Sequence, residues 1–68
     1  MSAIEKAINI IGGQTALAKK LGIRQSYVWN WIHRHRQAPA KYIRAISSAT
    51  HGLVSVDELL LDHETKDI

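Results

Sequence analysis

The apolar positions of this chain recur at helical spacing in short blocks separated by glycine and proline. Ile4, Ala7, Ile8 and Ile11 form one stripe of a helix over residues 2–11. Ser2 and Glu5, three residues apart, have the spacing of a capping box at its start. Gly12-Gly13 stops it. A second helix is expected over 14–21, with Leu17, Ala18 and Leu21 inward and Lys19 and Lys20 outward, and Gly22 closes it. A third runs over 25–34. At about 100° per residue, Val28, Trp31 and Ile32 fall on one side of it. Ser26, Asn30 and His33 fall on the other, with Trp29 beside them. Pro39 opens a fourth helix over 39–50, with Ile43 and Ile46 as core residues, Tyr42 and Ala49 flanking, and Gly52 beyond its end. Ser55 and Glu58 make a second capping-box signature for a short fifth helix ending near Leu61. Residues 53–56 also fit a short strand. The polar tail 62–68 is expected to fray.

The fold expected is therefore all-α: one domain over residues 1–61, five short helices arranged around a helix-turn-helix at 14–33. In that segment Ala18 is small where two helices cross, and Gly22 turns the chain. Leu17, Leu21, Ile23, Val28 and Trp31 supply the shared core. The arrangement is that of a sequence-specific DNA binder, whose second helix enters the major groove.

Charge strengthens that reading. The net +3 hides an asymmetry: residues 1–44 hold eight Lys and Arg against one Glu, a net +7, while residues 45–68 hold one Lys against five acids, a net −4. A basic body with an acidic end suits a polyanion on one face only. With 68 residues, about 60% of the unfolded surface is buried on folding, and no cysteine is present to staple the domain. The N-terminal segment, interrupted by Glu5, Lys6 and Asn9, lacks the pattern of a secretion signal, and no apolar run approaches a membrane span. A cytoplasmic protein, nucleoid-associated when bound, is expected, with no membrane partner.

Residues 3–50 resemble the small helix-turn-helix repressors of phages and prophages, of the Cro and lambda-repressor type, and within that group the helical Cro-like and YdaS-like proteins. The resemblance is carried by Gln14, Leu17-Ala18-Lys-Lys-Leu21-Gly22-Ile23, Gln25-Ser26, Val28, Asn30-Trp31 and Arg36-Gln-Ala-Pro39. It implies a lambda-repressor-like domain that binds a pseudo-palindromic operator as a homodimer and represses by blocking the polymerase. Some relatives of this kind are antitoxins. Arg24 stands where a Ser or Thr helix cap is frequent in the group, and Tyr27 and Trp29 are large where small or polar residues are usual.

The candidate base contacts are Gln25 and Ser26 at the start of the recognition helix, Asn30 one turn on, and Trp29. The candidate phosphate contacts are Gln14 and Thr15 at the start of the second helix, together with Lys19, Arg24, Tyr27, His33, Arg34 and Arg36. The segment 53–61 holds more apolar residues than it can bury alone. Leu53, Val54, Val56 and Leu60 are the candidate dimer surface. His33 and His35 lie two apart, on different faces of a helix, so no metal or other cofactor is expected, and no catalytic set is apparent. The alternatives to a repressor are an activator touching RNA polymerase, an antitoxin with a toxin partner, and a protein-interaction module on the same fold.

Overall fold

A computed structural model describes residues 2–65 and is all-helical there, with five helices and no strand among the described residues. Helix α1 spans Ala3–Ile11, α2 Gln14–Leu21, α3 Gln25–Asn30, α4 Ala40–Ala49 and α5 Val56–Thr65. A π-helical turn, Trp31–His35, continues α3.

The apolar stripes meet in one core. Ile4 and Ala7 of α1, Leu17 of α2, Val28 of α3, Ile46 of α4 and Leu59 of α5 are wholly buried, with Ala18, Trp31 and Ile43 nearly so. Ile11, Leu21, Ile23, Ile32, Tyr42 and Val56 pack partly buried around them. Trp31 and Tyr42 bring their rings together at 5.4 Å, joining the π turn to α4.

Both capping boxes form. At α1 the Glu5 N–H donates to Ser2 Oγ at 3.3 Å and the Ser2 N–H donates to Glu5 Oε1 at 3.3 Å. At α5 the Glu58 N–H donates to Ser55 Oγ at 3.1 Å and the Ser55 N–H donates to Glu58 Oε1 at 3.2 Å. Gly22 ends α2 at φ +70, and the Ile23 N–H reaches back to the Ala18 carbonyl at 3.0 Å. A side chain at Gly22 would meet nothing within 4 Å, so glycine is needed there for the left-handed backbone and not for space.

Several expectations are corrected. The third helix is not α-helical through residue 34. Its last turn widens to π geometry, and the N–H groups of Arg36 and Gln37 both go to the Trp31 carbonyl. This leaves residues 33–36 consecutively exposed beyond the buried Trp31. Pro39 caps α4 from outside rather than opening it, and residues 53–54 are a bend leading to the Ser55 cap of α5, not a strand. Val54, expected on a dimer surface, is fully buried: its N–H donates to Thr50 Oγ1 at 3.1 Å, and the turn delivers its side chain to the core. Helix α5 does not stop near Leu61 but runs to Thr65. It does so because Asp62, assigned to a fraying tail, is buried: Oδ1 accepts the Ala3 N–H at 2.9 Å and Oδ2 the Ile4 N–H at 3.0 Å. A carboxylate on two otherwise unpaired amides at a helix N-terminus is favoured by both hydrogen bonding and the helix dipole. At the next residue, His63 Nε2–H donates to the Ala38 carbonyl at 2.7 Å and ties α5 to the loop before α4. The last three residues of the expected tail, 66–68, lie outside the described residues.

Candidate nucleic-acid interface

Helices α2 and α3 pack more closely with each other than any other pair, joined by the turn at residues 22–24. The buried side of α3 is fixed by Val28 and by Trp31 just beyond it. The opposite side therefore has to face solvent, and Gln25, Ser26, Trp29 and His33 are all exposed along it, with Asn30 half-buried. Trp29 keeps 45% of its surface exposed and holds its ring 4.4 Å from that of His33, one turn on, at 34° between planes.

At the start of the same face, Gln25 Nε2 donates to Gln14 Oε1. The two glutamines are eleven residues apart and open successive helices, so the turn at Gly22 brings them together. The bond fixes the orientation of the Gln25 amide: its oxygen and second N–H are directed away from Gln14. Both residues were singled out in the sequence, but not as a pair.

The N-termini of α2 and α3 have no side-chain cap. Gly13 occupies the first, in a backbone conformation (φ +119, ψ 173) that belongs to glycine. Arg24 occupies the second with an extended backbone. Thr15 is exposed in the first turn of α2, and Gln14 is half-buried.

Lys19, Lys20, Arg24, Arg34, Arg36, Lys41 and Arg44 are all exposed. Among the described residues none of them is in an ion pair; the pair Lys6–Glu58, 3.3 Å, lies at the far end, between α1 and α5. Arg36 closes the π turn at φ +53, a left-handed conformation unusual for a residue with a Cβ. Tyr27 is 50% exposed but sits about 160° around α3 from Trp29, so the two do not share a face.

On the opposite side of the molecule Leu53 (64% exposed), Leu60 and Leu61 are open to solvent, while Val56 is half-buried. The candidate dimer surface thus keeps Leu53 and Leu60, gains Leu61, and loses Val54. Beside it lies an open depression of about 370 Å³ lined by Ser2, Ala3, Lys6, Glu58, Leu61 and Asp62. Its polar groups are engaged with one another or with the backbone. Among the described residues no three His, Cys, Asp or Glu side chains gather where a metal could bind, and no helix is long and apolar enough to cross a membrane.

These features define a class: a small all-helical domain with a cationic, polar-aromatic face built on two tightly joined helices. Residues 4–68 match the family described as "Bacterial toxin YdaS". The chain belongs to the YdaS family. Over 60 residues it is 40% identical to the "Putative transcriptional regulator YdaS" of Escherichia coli (strain K12), covering 88% of this chain and 61% of that protein. The chain thus spans about three fifths of the length of this relative. No solved structure matches. The family description names a toxin and the relative's name a regulator, whereas the resemblance read from the sequence implied that some relatives are antitoxins.

Proposed function

We propose that this domain is a sequence-specific regulator of transcription that binds operator DNA through α3, with α2 and α3 acting as a helix-turn-helix. The observation that carries the reading is the Gln14–Gln25 hydrogen bond at the head of an exposed polar-aromatic helix face, set among exposed arginines and lysines. An amide held in one orientation is preorganised to bond adenine N6 and N7 together. Ser26 and Asn30 add base contacts along the same face. The amides at the start of α2, near Gln14 and Thr15, receive a phosphate. Lys19, Arg24, Arg34 and Arg36 supply salt-sensitive affinity by displacing counterions, and His33 contacts the backbone beside them. Tyr27, on the far flank, reaches a phosphate rather than a base.

The reading is supported by family membership and by the name of the curated relative. The mode of action is Cro-like steric repression by a homodimer on a pseudo-palindromic site, Leu53, Leu60, Leu61 and the edge of Val56 forming the contact between copies. An activator role is the alternative within the same reading.

Enrichment of duplexes from a random pool tests it. The expected result is a short consensus with two inverted half-sites whose centres lie about one helical turn apart, roughly 34 Å. A pool that gains no consensus while the protein remains folded contradicts it. A consensus without inversion keeps the DNA reading and removes the dimer.

A further inference from the structure

Trp29 is not accounted for by the core or by hydrogen-bond readout. Trp31, two residues on, already fills the core position, 5% exposed and against Tyr42. Trp29 instead sits in the middle of the exposed face, one turn beyond Gln25 and next to Asn30. It is not loosely placed there, because the His33 ring lies against it at 4.4 Å and the two side chains occupy i and i+4 of one helix. The His33 stack thus limits where the exposed remainder of the indole can point.

A base edge in the major groove offers donors, acceptors and a single apolar group, the C5-methyl of thymine. Gln25 and Asn30 carry amides that match the donors and acceptors. An indole, with one N–H and a broad apolar body, matches the methyl. We infer that Trp29 is a specificity-determining residue that reads a thymine C5-methyl group in the major groove, with His33 as the positioning residue that holds the indole against it. The inference rests on the DNA-binding reading above and deepens it: the operator must carry a thymine where α3 meets the groove at Trp29.

Deoxyuridine in place of thymine removes the methyl and leaves base pairing and the hydrogen-bonding edge intact. Each thymine of an enriched duplex is replaced in turn, and binding by the full chain is measured by fluorescence anisotropy. At the thymine facing Trp29 the wild-type protein is expected to lose about fourfold in affinity per methyl removed, the size of one buried carbon. The same replacement is expected to be silent for Trp29→Ala. Both Trp29 and His33 are exposed, so Trp29→Ala and His33→Ala should fold normally, which circular dichroism checks. His33→Ala should narrow the thymine-to-deoxyuridine ratio. Loss of a mere phosphate contact would weaken both duplexes equally and leave the ratio unchanged, which overturns the positioning role. Tight, selective binding that is indifferent to every deoxyuridine overturns the methyl reading and leaves the DNA reading standing, as does a Trp29→Ala protein with the wild-type penalty. Failure to enrich any duplex overturns both.

Discussion

The two ends of this small domain treat their helix N-termini in opposite ways. At the acidic end, α1 and α5 are each closed by a capping box, and the first amides of α1 are also held by the buried carboxylate of Asp62. At the basic end, α2 and α3 begin without any side-chain cap, at Gly13 and Arg24, and Thr15, Arg24, Gln25 and Ser26 around them are exposed. The contrast separates stability from recognition. One end satisfies its polar groups internally and fixes the fold. The other leaves backbone donors and cations available to an external anion.

If that division is right, substitutions at the closed end should change stability and leave DNA affinity unchanged, and those on the exposed face of α3 should do the reverse. Asp62→Ala should have the largest effect. It strands two amides, one of them buried, and should cost about 3 kcal/mol in urea unfolding, a large share of what a domain of this size has. The DNA affinity of the molecules that remain folded should not change. An Asp62→Ala protein as stable as wild type would contradict the closed end. Gln25→Ala should do the reverse: a loss of about 1–3 kcal/mol on the enriched duplex and little on random DNA, with stability within about 0.5 kcal/mol of wild type. Equal losses on both duplexes would remove Gln25 from base recognition.

Arg36 should show both properties in one residue. Its left-handed backbone suits glycine better, so Arg36→Gly should raise stability by about 0.5–1 kcal/mol while reducing the salt dependence of DNA binding by about one counterion. A variant neither more stable nor less salt-sensitive would break the idea that the basic rim trades stability for binding. The smallest effect is that of acid. The Ser2 hydroxyl and amide hold Glu5 below the usual glutamate value of 4.5, and the Ser55 amide, with Lys6, does the same for Glu58. A carboxylate whose pKa is lowered in the folded state stabilises it above the unfolded value, and that contribution is lost as pH falls through the folded one. Thermal stability should therefore be flat with respect to these two groups above about pH 4.5 and decline below it. The decline should be slight, because both groups are solvent-screened, and it should be smaller still in Glu5→Gln.

Much of this was legible in the sequence because its signals are local. The pairs Ser2/Glu5 and Ser55/Glu58 are each three residues apart and announce their helices by themselves. The 3.6-residue period of Val28 and Trp31 settles which face of α3 is exposed. What was not legible depends on distance or on backbone detail. Asp62 acts on residues 58 and 59 positions away, and nothing near it in sequence marks a polar residue as buried. Val54 and Leu53 are adjacent and equally apolar, yet the bend after α4 sends one into the core and the other to solvent. The π turn changes hydrogen-bond partners without changing the residue pattern, so composition could not reveal that it exposes four residues in a row. The Gln14–Gln25 pair needed the geometry of the turn at Gly22. Both residues could be named from the sequence, but not that one orients the other.

The most direct test of the division is fluorescence anisotropy of the wild-type chain on an enriched duplex and on a random one across a salt series. The expected result is binding at least about a thousandfold tighter to the enriched duplex, with the affinity for both falling steeply as salt rises. Weak, equal binding to the two duplexes, or none, would contradict it and turn the exposed face of α3 towards a protein partner.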